Sequence, residues 1–162
     1  MEEKGEAAPP EEDCVADLTL DAYLPEDYVA DNAARLELYR AIARVRTPAD
    51  AEDLKDEMTD RFGDLPAPAE NLFTIALLRA AAKKLGCFKF RQERFQLVFL
   101  FRRDETVEAA LALAGSLYGG KLRVKATDTV GAYLRLTEEK PDVPALCEEF
   151  FHHVSGFVRD LK

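Results

Sequence analysis

The side chains that could do chemistry are few and scattered. Cysteines stand at Cys14, Cys87 and Cys147, adjacent histidines at His152 and His153, and serines at Ser116 and Ser155. A nucleophile needs a base within hydrogen-bond reach, and no such constellation accompanies any of them. The histidines fall on a predicted helix, where neighbours diverge by about 100°, so they do not share one ligand face. No CxxC offers a zinc pattern. There is no G-x-x-x-x-G-K-[ST] phosphate cradle, no G-x-G-x-x-G and no G-x-S-x-G. What is dense is carboxylate. Asp50, Asp53, Glu57 and Asp60 recur at three- and four-residue steps, which is one face of a helix. Glu52 and Asp56 widen that face, and Lys55 is its one interior cation. A catalytic carboxylate needs a partly desolvated pocket, which an open helix face does not provide. No catalytic residue, cofactor or metal is expected. Like charges at these spacings repel. Either water screens them, making a solvated face, or a basic partner relieves them, making a docking face.

The helix that carries this face is well punctuated. Thr47 followed by Pro48 is a start signal, and Phe62-Gly63 a stop. Ala51, Leu54, Met58 and Phe62 form its apolar stripe. Before it, Asp31 caps a helix whose apolar side chains are Leu36, Tyr39 and Ala43 with Leu38, Ile42 and Val45 on the neighbouring stripe. After it, a helix from about Ala69 to Leu85 is apolar nearly all round, hence buried on several sides. Then the period changes. Phe88 and Phe90 alternate with Lys89 and Arg91, and RFQLVFLF follows from Arg94 to Phe101, a strand signal with Glu93-Arg94 as the hairpin tip. Asp104 caps a helix through Leu117. Leu122 to Ala126 and Ala132 to Leu136 read as strands, and a closing helix after Pro141 and Pro144 carries Leu146, Phe150, Val154, Phe157 and Leu161. The expected class is α+β: a three-helix segment followed by ββαββα, with a small antiparallel or mixed sheet and helices packed on it.

The totals restrict the function classes. The length of 162 residues suits one ordinary domain. Residues 1–17 are acidic and contain Pro9-Pro10, a disordered linker-like tail, although Val15 to Leu20 alternates loosely enough for a short extended piece. Residues 18–162 are expected to be the single folded domain. The N-terminus lacks the apolar core of a signal peptide, and no apolar run is long enough for a membrane span. Three cysteines without a framework suit a reducing cytosol. A net charge of −9 opposes nucleic-acid binding by the chain as a whole. The basic residues of the first hairpin, Lys89, Arg91 and Arg94, are the local exception.

Three phrases in the acidic helix and its surroundings carry a resemblance. DAYLPEDYV (21–29), RLELYR (35–40) and DRFGDLP (60–66), in that order and followed by Asn71-Leu72, resemble the C-terminal domain of the bacterial transcription-repair-coupling factor. The diagnostic part runs from Asp21 to Gly86. The resemblance implies a non-catalytic regulatory domain of a multidomain DNA translocase whose ATPase motifs lie in other modules. It implies docking on the factor's UvrB-like N-terminal module, which masks the UvrA-recruiting surface until RNA polymerase is engaged, in nucleotide excision repair in the bacterial cytoplasm. Carried onto this chain, the partner-binding positions are Glu57, Asp60 and Arg61, with Asp53 earlier on the same helix. Tyr23, Tyr28, Arg35 and Tyr39 have packing alone as their simpler reading. The alternative is a DNA-contacting accessory domain of the same translocase, using the basic hairpin near Lys89–Arg94.

Overall fold

The structure is a computed structural model that describes residues 14–162. By its contacts the chain divides into two compact units. One is Thr19–Ala80; the other joins the described part of Met1–Leu18 to Ala81–Lys162.

The Thr19–Ala80 unit is helical. Helix α1 spans Asn32–Ala43, and Asp31 caps it by accepting from the Ala34 N–H at 2.9 Å. Helix α2 spans Pro48–Phe62. Its start is a capping box in which Thr47 accepts from the Asp50 N–H and the Asp50 carboxylate accepts from the Thr47 N–H, satisfying two donors that a helix start leaves open. Helix α3 spans Ala67–Lys84. It begins two residues earlier than the sequence suggests, because Pro68 is tolerated in a first turn, where the missing N–H has no partner to lose. Gly63, at φ 91°, ends α2 in a conformation that L side chains rarely adopt. The core is Leu24, Val29, Leu38, Ile42, Val45, Ala51, Met58, Ala69, Phe73 and Ala76. Two side chains of the expected α1 stripe, Leu36 and Ala43, are exposed instead. Leu38, Ile42 and Val45 already supply a complete inward stripe at helical spacing, so Leu36 and Ala43 point elsewhere.

The second unit is a five-stranded mixed sheet with helices packed on it. Its strands are β1 (Val15–Asp17), β2 (Cys87–Gln92), β3 (Gln96–Phe101), β4 (Leu122–Ala126) and β5 (Val130–Arg135), in the order β1-β2-β3-β5-β4. β1 runs parallel to β2 and every other pairing is antiparallel. Val15–Asp17, placed at the end of the tail but also read as the start of a short extended piece, is hydrogen-bonded sheet, and Cys14 before it is buried. The remainder of the predicted tail lies outside the described residues. The first hairpin tip includes Phe95, which is exposed, so β3 begins at Gln96 rather than Arg94. Helix α4 (Glu105–Ala114) is capped by Asp104 and passes into a 3-10 turn at Gly115–Leu117, where the sequence predicts continuous helix. Helix α5 spans Val143–Leu161 with Asp142 as its cap and Pro144 inside its first turn. Leu161, expected inward, is exposed where the helix ends.

The two aromatic runs meet here. Phe99 stacks on Phe150 at 4.1 Å between ring centroids, and Phe151 sets its edge against both Phe90 and Phe99 at 5.3 Å. Stacked and edge-on pairs of this kind add about 0.5–1.5 kcal/mol each beyond area burial. Phe99→Ala removes the ring on which the cluster converges and is expected to cost about 3–5 kcal/mol. Leu36→Ala, on the exposed side of α1, is expected to stay within about 0.5 kcal/mol of the parent. Urea unfolding of both variants measures the difference.

Candidate docking site on the second helix

Asp53, Glu57, Asp60 and Arg61 all lie on α2 and all are exposed. The first three share one helical face. Two charges of the predicted face belong elsewhere. Asp50 is consumed by the capping box, where its carboxylate also accepts from the Arg46 N–H at 3.1 Å. Lys55 turns to α3 and pairs with Glu70 at 3.0 Å, with its ammonium 5.4 Å from the centre of the Phe73 ring. With one carboxylate and one ammonium so engaged, the net charge of the outward face is unchanged, and Lys55 also lies 3.9 Å from Glu52. Arg61 bonds Glu57 one turn back at 3.4 Å and lies over the Phe62 ring at 4.8 Å. Both ends of that pair are more than half exposed, so the contact is weak and open to exchange. The side chains of Asp53 and Asp60 have no ion pair or hydrogen bond among the described residues.

Most other residues of the three phrases have structural partners. The Tyr39 hydroxyl accepts from the Leu24 N–H at 2.8 Å, and Arg35 donates to the Val29 carbonyl at 2.9 Å. The Tyr28 hydroxyl donates to the Gly63 carbonyl at 2.8 Å, and its ring packs against Phe62. Burial, together with the charges of Asp64 and Glu70, raises its pKa. Asn71 donates to the Asp21 carbonyl at 2.8 Å. These bonds tie the segment before α1 to the ends of α2 and α3.

The structure adds a feature that the sequence reading missed. A cleft of about 430 Å³ lies between α1 and α2. Glu57 and Arg61 line it from α2, and Glu37, Arg40 and Arg44 line it from α1, over Leu38 and Leu54. Asp53 and Asp60 do not line it. The acidic face of α2 therefore runs beside a mixed cleft, with Glu57 and Arg61 at the shared edge. Arg40 and Arg44 carry no ion pair among the described residues. Their signal was present in the sequence as Glu37, Arg40 and Arg44 at three- and four-residue steps, one face of α1.

Other groups with chemical potential are held in structure. Arg91 bonds Glu93 at 2.8 Å, and Gln96 bonds the other oxygen of the same carboxylate. The bonds from Gln96 and Arg91 lower the Glu93 pKa. Arg94 lies over Phe95 at the hairpin tip. His153 is 3.8 Å from Glu149, one turn back on α5. The Tyr118 ring meets His153 edge-on, and burial with the nearby Glu149 charge pushes its hydroxyl up to about 12. The three cysteines are free and buried, and Cys14 and Cys147 lie close enough to Cys87 to influence its charge. Burial, with a smaller push from Cys14, holds the Cys87 thiol well above its ordinary value, and burial raises Cys147 to about 12. Among the described residues, no group of three or more His, Cys, Asp or Glu side chains could hold a metal ion, and no helix is long and apolar enough to cross a membrane.

The sequence profile of the TRCF domain matches residues 18–111, more than half of the chain. The chain belongs to the TRCF domain family. It is 38% identical over 98 residues to the transcription-repair-coupling factor of Bacillus subtilis strain 168, a match that spans 60% of this chain and 8% of that protein. It is 44% identical over 73 residues to the factor of Escherichia coli strain K12, spanning 45% of this chain and 6% of that protein. The chain thus corresponds to less than a tenth of the length of these relatives. The fold agrees with a solved structure described as the C-terminal domain of transcription-repair coupling factor, at a TM-score of 0.69 and 20% identity, covering 92% of this chain and 97% of that one. The α+β architecture is therefore that of the TRCF C-terminal domain.

The thiols give a check on the packing around β2 and α5. In the native chain at pH 8 a water-soluble thiol reagent is expected to leave Cys14, Cys87 and Cys147 unmodified, and all three are expected to react once urea unfolds the chain. Folding holds Cys87 and Cys147 protonated. Their contribution to stability is fully present below the ordinary thiol pKa of about 8.5, and it is lost as pH rises through the raised folded values. The urea midpoint is expected to fall between pH 8 and 10. Stoichiometric labelling of the native chain at pH 8 would show that the thiols are accessible.

Proposed function

We propose that this chain is the C-terminal regulatory domain of a transcription-repair-coupling factor, and that the outer face of α2 docks on the UvrB-like N-terminal module of the same factor. In this reading the contact masks the surface that recruits UvrA, and engagement of RNA polymerase releases it. The two compact units act together as that one domain, in keeping with the extent of the structural match. The domain carries no catalysis of its own and works in the bacterial cytoplasm, as an accessory to an ATP-dependent DNA translocase.

The observation that carries this reading is the division of labour within the Asp21–Gly86 stretch. Tyr28, Arg35, Tyr39 and Asn71 are occupied in holding the helical unit together. Asp53, Glu57, Asp60 and Arg61 are exposed on one helix and have at most a weak local partner. Exposed charge without a structural task is what steers and registers a partner. The complementary surface is a basic patch with a carboxylate placed for Arg61. The reading as a DNA-contacting domain is less well supported. Arg91 is already held by Glu93, and the net charge of −9 opposes a polyanion.

Titration of this chain with the isolated UvrB-like module, followed by amide chemical shifts, tests the proposal. Shifts are expected to centre on Asp53, Glu57, Asp60 and Arg61 and to fade between low and physiological salt. The double variant E57R/D60R is expected to weaken binding by roughly tenfold or more, about 1.4 kcal/mol. Binding indifferent to both salt and the double variant would overturn this docking surface.

A further inference from the structure

β4 ends the sheet. Among the described residues it pairs with β5 and with no other strand. The alternation of that pairing shows where its other backbone groups point. The Arg135 N–H donates to the Lys121 carbonyl at 2.9 Å, and the Thr127 N–H donates to the Thr129 carbonyl at 2.7 Å. These bonds fall in the register that sets Arg123 opposite Tyr133 and Lys125 opposite Gly131, so the odd-numbered residues of this strand bond to β5. In an antiparallel ladder the intervening residues face the other way. Leu122, Val124 and Ala126 therefore direct their N–H and C=O groups to the open edge. Arg123 to Ala126 are all exposed, including Val124 at 42%. An exposed row of donors and acceptors at strand spacing is a template for one more strand.

The side chains restrict what that strand can be. Lys121, Arg123 and Lys125 alternate on one side of the edge, about 6.6–6.8 Å apart along the strand. Arg135, also exposed, pairs with Lys121, and β4 holds no carboxylate. The positions are supported from below and at one end. The Arg123 guanidinium rests over the Tyr133 ring at 5.7 Å, and that ring lies across Gly131, where an added Cβ would meet it at 2.8 Å. At the far end, Arg103 donates to the Thr127 carbonyl while bonding Glu108 at 3.0 and 3.2 Å, which ties the β4–β5 turn to the start of α4. A second copy pairing edge to edge about Val124 would set Arg123 against Lys125, a like-charge pair that destabilises.

We propose that the β4 edge receives an extended acidic segment of a partner protein, which adds to the sheet as a sixth strand and sets alternate carboxylates against Lys121, Arg123 and Lys125. Backbone pairing gives the segment its direction, and the three cations select its charge. A nucleic-acid phosphate tract could accept from the Val124 N–H, but its backbone has no donors for the C=O groups of the same edge, which a polypeptide strand supplies.

The test titrates this chain with a short peptide alternating threonine and glutamate. Two controls are the same peptide N-methylated at alternate residues, in either register, and oligothymidylate. Backbone amide shifts and hydrogen exchange are read at Leu122, Val124 and Ala126. The proposal expects slowed exchange at these three amides, loss of roughly tenfold or more in affinity for at least one N-methylated peptide, and loss of binding in K121E/R123E/K125E. All three substitutions lie at exposed positions, and the melting temperature of the variant checks that it folds. Binding of both N-methylated peptides as tightly as the unmodified one, tighter binding of oligothymidylate at the same residues, or unchanged exchange at saturating peptide would each overturn it.

Discussion

β3 has no side chain free to face water from Leu97 to Phe101. A strand in that condition must be covered on both faces, and because both are apolar its register is held by the fit of its large side chains rather than by an apolar–polar pattern. The pairings with β2 and β5 follow from this. Phe99 meets Phe90 and Ala132 on one face; Val98 meets Arg91 and Tyr133 on the other. Phe150 and Phe151 of α5 then have one place to go, against Phe90, Phe99 and Phe101. The sheet unit is thus organised by one strand that tolerates no solvent.

The helical unit is organised differently, by polar bonds made at the ends of its helices. The capping box at Thr47 and Asp50 sets where α2 starts, and the Tyr28 hydroxyl on the Gly63 carbonyl sets how the chain leaves it. A helix fixed at both ends has little conformational freedom left to lose in any association. The same arrangement assigns the charges. Asp50 and Lys55 serve the fold, which leaves Asp53, Glu57, Asp60 and Arg61 for the surface.

Much of this was legible in the sequence where the signal is local. The caps at Asp31, Thr47 and Asp104 and the stop at Gly63 are short-range chemistry, and the helices begin and end there to within a few residues. The exposed position of the four α2 site residues follows from the same helical period. What was not legible depends on distant partners. The loose alternation from Val15 allowed an extended piece, but gave no sign that Val15–Asp17 would pair in parallel with β2. Leu36 is as apolar as Leu38, and only the packing of the unit decides which of the two is buried. Arg40 and Arg44 gain meaning from α2 across the cleft, a neighbour that the α1 sequence does not mention. The 3-10 turn after Ala114 did have a local signal, in Gly115 and in Ser116, which donates to the Leu113 carbonyl.

The parallel pairing of β1 with β2 has a consequence for the order of folding. Val15 sits opposite Lys89, so in sequence the whole Thr19–Ala80 unit is an insertion between two neighbouring strands. Closing a loop of that length through an unstructured chain is entropically unfavourable and slow. If the helical segment first condenses on its own core, the effective loop becomes much shorter. β1 is then the natural last strand to join the sheet, and the Cys14–Asp17 segment is the point at which the two folding events are joined into one.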